Sequence, residues 1–292
     1  MTEQGKKTST VASPAATATM ALPSTLRLGV ARTRVDLKQF FRSKDSMIFT
    51  FLFPVLMLMI FATVFSRQGD VGPGIPGGPI SFGQYFLPGM VATGVMLTSF
   101  QSLAIQIPGE RDDGALKRLR GTPMPSASYF LGKVGQVLVA SVVQLALLLL
   151  VARLLFAIPL PTAPGAWLTF LWVFLLGTAC GSVLGVAFSS VPSSGRSASA
   201  VVVPIVLVLQ FISGVYFMYS DLPTWLQRVA EVFPLKWMAQ GMRSVFFPDA
   251  FRAIEVRNSW EHPMTAVVLA AWLVFGLAAG IRTFRWSRRG DN

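Results

Sequence analysis

The chain has 292 residues, 53% of them hydrophobic and 13% charged, with a mean hydropathy of +0.58. Ordinary soluble domains carry roughly 25% charged residues, so a fold solvated by water alone is excluded. A single cysteine, Cys180, excludes an intrachain disulfide and reads as a small packed hydrophobe, a single histidine, His262, excludes a histidine-rich metal cluster, and the formal charge of +12 must be located along the chain before it carries meaning.

Residues 1–23 are rich in Ser, Thr, Ala and Pro without a core-forming pattern, which predicts a disordered cytoplasmic tail. Between Ser24 and Lys44, Leu26, Val30, Leu37, Phe40 and Phe41 recur at near-helical spacing among Arg27, Arg32, Arg34, Lys38, Arg42 and Lys44. This predicts an amphipathic helix over 24–45, lying in the inner interface with its cations toward headgroups; a solvated basic linker is the alternative. Six runs are then long and apolar enough to cross about 30 Å of hydrocarbon at about 1.5 Å per residue. They extend approximately over Ser46–Ser66, Tyr85–Ile107, Val134–Ile158, Trp167–Ser190, Ala198–Phe217 and Pro263–Phe284. The runs are continuously apolar, whereas barrel strands alternate over ~10 residues. An all-α membrane protein with one six-helix transmembrane domain over 46–286 and a short cytoplasmic tail, 287–292, is predicted. The first run follows a long basic segment and ends without a small-residue cleavage site, so it reads as a retained span.

Charge sets the orientation, because short flanks rich in Lys and Arg stay in the cytoplasm. With both termini inside, the inner segments hold 17 basic and 7 acidic residues and the outer segments 6 of each, with Lys133 and Arg153 left in the third run. Both termini are therefore expected to be cytoplasmic, and the basic excess reads as an orientation and anionic-lipid signal, with no nucleic-acid partner.

The inner loop 108–128 carries Glu110, Arg111, Asp112, Asp113, Lys117, Arg118 and Arg120, acidic first and basic last, as suits a short helix's dipole before Pro123 and Pro125 stop it. Leu116 and Leu119 share a face at i, i+3 and predict apolar knobs for docking onto another protein; a bland solvated loop has no use for them. The outer segment 221–247 contains Trp225, Leu226, Val229, Trp237, Met238 and Met242, is broken by Pro234, and carries Arg228, Glu231, Lys236 and Arg243. Two short amphipathic helices dipping into the outer leaflet, with Trp at headgroup level, fit it, with a plain soluble loop as the alternative.

Within the predicted spans Glu and Asp are absent, and no phosphate-binding loop exists: Gly132-Lys133 is followed by Val134. No catalytic, cofactor-binding or metal-ligating set is predicted. Uncharged polar residues do occur in the spans: Thr98, Ser99, Gln101, Gln106, Gln136, Gln144, Gln210 and Ser213. In lipid they must find partners, which suits interhelical packing or the lining of a path for a substrate. The first span, with Met47, Met57 and Met59 among phenylalanines, suits either loose recognition of apolar molecules or packing against lipid.

Several segments together resemble the permease subunit of ABC-2 type transporters, particularly the drug-efflux branch, over roughly Leu26 to Arg289. The resemblance is carried by Phe53-Pro54-Val55-Leu56 through Phe61 to Phe65, by Tyr85-Phe86-Leu87-Pro88-Gly89, by Glu110 to Leu119 with Thr122-Pro123, and by Phe233-Pro234-Leu235 followed by Arg243. The third piece is similar to the family's E-R-x-x-G-T-L-x-x-L stretch, with Ala115 in place of the usual Thr and Lys117 in place of a frequent Glu. The resemblance implies a dimer, with itself or a related permease, driven by two ATPase subunits that bind the ATP and Mg. In it the 24–44 helix and Glu110, Arg111, Asp112, Asp113, Leu116, Lys117, Arg118 and Leu119 dock the ATPases. It also implies outer re-entrant helices carrying Trp225, Pro234, Trp237 and Arg243. Its dimer seam between the second and fifth spans would hold Thr98, Ser99, Gln101, Gln210 and Ser213. The expected function is export of a hydrophobic or amphipathic small molecule across a prokaryotic cytoplasmic membrane. Export of a lipid-linked glycan or polymer, or an ATP-independent channel or scaffold, are the alternatives.

Overall fold

The computed structural model describes residues 24–284, so the predicted tails lie outside the described residues. Within them the regular structure is helical apart from one isolated antiparallel bridge, Val71 with Ile80. Helix α1 spans Thr25–Arg42 and starts where the Ser24 side chain accepts from the Arg27 N–H (3.4 Å), satisfying an end donor that has no partner within the helix. Then follow α2 (Lys44–Val64), α3 (Phe82–Met96), α4 (Ser102–Asp112), the short α5 (Ala115–Arg120), α6 (Ser126–Phe156), α7 (Pro164–Phe188) and α8 (Gly195–Ile212). The short pair α9 (Thr224–Val232) and α10 (Pro234–Phe246) precedes α11 (His262–Thr283).

Six helices among the described residues are long and apolar enough to cross a membrane: Met47–Arg67, Phe82–Asp112, Ser126–Phe156, Pro164–Phe188, Gly195–Ile212 and His262–Thr283. All six predicted spans are present, with shifted ends. The second runs past the predicted Ile107 and through Pro108 to Asp112, so Glu110, Arg111 and Asp112 form its last turn instead of a free loop. The fifth ends at Ile212, five residues before the predicted Phe217, because Gly214 takes a left-handed φ of 72° and turns the chain back, burying Val215 and Tyr216. The third begins at Ser126, which places Lys133 two turns inside a helix.

The second span is the most enclosed and the sixth the least. Between α3 and α4 it is interrupted by one π-helical turn, Leu97–Gln101, a local widening of the helix that recurs at functional sites. Thr98, Ser99 and Gln101 all lie on this turn. The hydroxyl of Thr98 meets that of Ser141 at 2.5 Å, and Gln136 Nε2 donates to Gln106 Oε1 at 3.2 Å, so polar residues of the second and third spans satisfy one another. On the other side α7 approaches through glycines: a methyl at Gly185 would sit 2.7 Å from the Phe100 carbonyl oxygen. Backbone cannot yield to such a contact, so Gly185→Ala is expected to cost about 1–3 kcal/mol. Gly165→Ala, with nothing within 4 Å, is expected to leave thermal stability in detergent unchanged or slightly raised.

Candidate functional site

At the end of the bundle that carries α5, α1 packs along the start of α6 through its polar face. Ser128 Oγ donates to the Thr25 carbonyl (2.9 Å), Thr33 Oγ1 to that of Gly132 (3.4 Å), and Gly29 sits against the Leu131 side chain. Where the interfacial helix is expected the structure has α1, on which Arg27, Arg34, Lys38 and Arg42 are exposed beside Leu26, Val30 and Phe41. Arg32 departs from the predicted cationic face. It turns inward and pairs with Asp36 at 2.8 Å.

Asp36 is the centre of a buried ionic cluster. Its carboxylate, 1% exposed as a residue, lies 3.5 Å from Lys133 Nζ. Lys133 also pairs closely with Glu110, which accepts from the Tyr129 hydroxyl at 2.9 Å and lies 3.7 Å from Arg32. Two cations and two anions from α1, α4 and α6 therefore close on one another at one end of the bundle. Burial pushes the Asp36 carboxyl above the usual carboxylate range, while Lys133 and Arg32 pull against it. Of these groups Glu110 is a named docking residue, and Arg32 and Asp36 lie within the 24–44 helix that the resemblance also gives as a docking element; Tyr129 and Lys133 belong to neither. The available signals were Asp36 as the single acid among the cations of 24–44 and Lys133 as a lysine inside an apolar run.

The predicted charged helix is divided at Gly114, whose φ of 69° ends α4 and opens α5. Its acidic half thus falls at a helix C-terminus, where the dipole disfavours it, and specific partners compensate. Glu110 has Lys133, and Asp112 Oδ2 accepts from the Gly195 N–H at 2.7 Å, capping α8 beside the reciprocal Ser194–Ser197 capping box. Arg111 donates to the Ser189 carbonyl at 3.2 Å. Leu116, predicted to be an outward knob, is fully buried with Leu103, Ile107, Tyr129 and Val137, because it closes the end of the bundle. Leu119 is partly buried, and Asp113, Lys117, Arg118 and Arg120 are exposed on the free surface of the loop. The second and fifth spans are therefore joined directly to this loop.

At the opposite end of the bundle, Trp225 is 67% exposed on α9, but Trp237 on α10 is buried and donates to the Glu231 carbonyl at 2.7 Å. The helix α10 is a plug wedged among α3, α7 and α11, with Pro234 at its buried start. Its amphipathic pattern conceals this because its polar residues are answered from the loop that follows. Arg243, 3% exposed, makes a forked pair with Glu255 (2.5 and 3.1 Å) and donates to the Gly214 carbonyl (3.3 Å). Burial works against the Arg243 charge, but Glu255 outweighs it and holds the guanidinium protonated beyond its ordinary range.

Lys236 donates to Gln240 Oε1 (2.6 Å), lies 3.8 Å from Glu261 and sits 3.5 Å from the centre of the Trp237 ring. Burial pulls its ammonium down from 10.5 to about 8. The folded chain then sheds this proton before the unfolded chain does, so the unfolded state binds more protons between those two values and stability rises with pH there. The thermal midpoint of the wild type, relative to Lys236→Met, is expected to climb between about pH 8 and pH 10.

An apolar cavity of about 350 Å³ lies between α2, α3 and α8, walled by Phe53, Met57, Phe61, Phe86, Phe211 and Tyr216. Phe61 and Phe86 stack at 4.6 Å, and the Tyr216 hydroxyl donates to Gln210 Oε1 at 2.5 Å, which ties one predicted seam residue to the cavity wall. Ser213, buried, caps α8 nearby. Thr98, Ser99 and Gln101 lie elsewhere, packed inside the chain's own bundle, Thr98 against α6 and Ser99 against α7. No group of three or more His, Cys, Asp or Glu placed to hold a metal occurs among the described residues.

A family model described as ABC-2 type transporter matches residues 30–247. The chain is also 23% identical over 180 residues to the "Probable multidrug ABC transporter permease YbhR" of Escherichia coli strain K12, and equally to that of Escherichia coli O157:H7. The match covers 60% of this chain and 47% of each relative, so the chain spans about half the length of the curated relatives it matches. With its six apolar helices, the chain is a multi-pass integral membrane protein. The matched span includes the buried ionic cluster, the charged loop and α10, and the chain belongs to the ABC-2 type transporter family, whose members are the membrane subunits of ABC transporters and not their catalytic ones.

Proposed function

We propose that this chain is the permease subunit of an ATP-driven exporter of hydrophobic or amphipathic small molecules, oriented with α5 toward the cytoplasm of a prokaryotic cell. Two ATPase subunits would bind the ATP and Mg and press on the face formed by Asp113, Lys117, Arg118 and Arg120, with a second permease copy completing the path. The observation that carries the reading is the joining of that loop to the third span, through Glu110 and Lys133, and to the fifth span, through Asp112 and Gly195, at the very end of the second. Displacement of α5 then moves the helices on either side of the aromatic cavity instead of dissipating in a floppy loop. The cavity's walls suit an apolar or aromatic cargo, held by ring contacts without a buried charge. The outer plug α10 would close the path until that motion reaches it through Gly214 and Arg243.

The test is uptake of a hydrophobic fluorescent dye into inverted membrane vesicles containing the chain and its ATPase. ATP-dependent accumulation is expected, with Phe61→Ala raising the half-saturating dye concentration. Dye movement that is indifferent to ATP would instead favour a channel or scaffold.

A further inference from the structure

A π-helical turn takes up one residue more than the α-helix it interrupts. In the second span that surplus sits at Leu97–Gln101, where the Ser102 N–H reaches back five residues to the Leu97 carbonyl. Side chains answer the carbonyls that such a turn puts out of step. The Thr98 hydroxyl lies 2.8 Å from the Gly94 carbonyl oxygen and 3.2 Å from that of Val95, and the Ser99 hydroxyl donates to Val95 at 2.5 Å. About 10 Å further along the axis the same span has a second break in its ladder. Pro108 stands inside α4, offers no N–H to the Ala104 carbonyl and crowds it with its ring. A π turn placed there would give up no bond that is not already missing, and would relieve the crowding.

Both ends of the span are held. In its first half Gly89 lies against the Val215 backbone, where a methyl would come 3.0 Å from the carbonyl oxygen; at its far end Glu110 pairs with Lys133, and Asp112 accepts from the Gly195 N–H. The span therefore cannot turn as a rod, but residues 102–107, between the two weak points, can turn within it. They carry no charge and no aromatic ring. Against Ser99, Phe100 and Leu103 the helix α7 presents Gly181 and Gly185, a wall of backbone without interlocking side chains.

We infer that the π turn is a movable joint, able to pass from residues 97–101 to Pro108, turning residues 102–107 by about 100° and advancing them about 1.5 Å between fixed ends. Each of these side chains then takes the place its C-terminal neighbour held, so Gln106 leaves Gln136 and Ile105 comes to face it. That displacement of α5 drives the shift rests on the exporter reading above; the existence of two registers does not.

Hydrogen–deuterium exchange of the full chain in lipid nanodiscs tests this. Each passage of the turn opens the amide bonds of residues 102–107 in succession, so these are expected to exchange about tenfold or more faster than residues 90–95 in the buried first half of the span. Pro108→Ala supplies the missing N–H and abolishes the second station, and is expected to slow exchange through the whole segment back to Ser102. Removing Ser99 takes away the surplus residue and is expected to slow the same amides; if that variant does not fold, Pro108→Ala carries the test. Exchange of residues 102–107 no faster than that of 90–95, or slowed by Pro108→Ala only at the residues beside it, would overturn the inference. The measurement contains neither ATPase nor ATP, so its failure leaves the exporter reading standing, and failure of dye transport leaves the two registers standing.

Discussion

Replacing Lys133 with methionine is expected to cost about 3–5 kcal/mol of stability, a large part of the whole for a domain of ordinary stability. The side chain is 1% exposed and faces Asp36, itself wholly buried, and Glu110, so its removal leaves two anions with Arg32 as their remaining cation. Desolvation of an unpaired carboxylate is the dominant cost. Unfolding by SDS titration from mixed micelles measures it, and Asp36→Asn with Glu110→Gln in the Lys133→Met background is expected to restore a substantial part of the loss. If the triple variant is no better than Lys133→Met, methylene packing and not charge explains the effect.

Glu255→Ala is expected to be comparably damaging, about 3–5 kcal/mol, for a different reason. Arginine cannot shed its proton, so Arg243 stays charged inside the plug with the Gly214 carbonyl as its remaining hydrogen-bond partner among the described residues. Glu255→Gln, which keeps an acceptor, is expected to lose less, and Arg243→Met with Glu255→Met less again, because both charges leave together. Thermal melting in detergent separates the three. Equal losses in all of them would mean that the loop after α10 is held by shape alone.

Hydropathy makes the spans legible because each needs only its own twenty or so residues to declare itself. Helix ends are less so: Pro108 suggests a boundary, yet the helix continues because Glu110 and Asp112 find partners on α6 and α8. Residues 97 positions apart in sequence, Asp36 and Lys133, leave no periodic trace of their pairing, only the oddity of a lone acid on a basic helix and a lysine in an apolar run. The plug misleads for the opposite reason. Lys236, Gln240 and Arg243 mark a polar face that normally meets water, but Glu255 and Glu261, from the loop after α10 and the start of α11, meet it instead. Leu116 and Leu119 declare a shared face by their spacing, but period alone does not say whether that face turns toward a partner or toward the bundle.

The central claim, that nucleotide-driven motion enters through the α5 surface, is tested most directly by cross-linking. Arg118→Cys places a thiol on that surface, while Cys180 is buried and silent. In membranes carrying the native partners, a bifunctional thiol-to-amine reagent is expected to join this position to a subunit containing a phosphate-binding loop, with a yield that changes between ATP-bound and ATP-depleted states. An Arg118→Cys chain whose new thiol reacts only with soluble reagent in both states, joining no ATPase, would contradict the account.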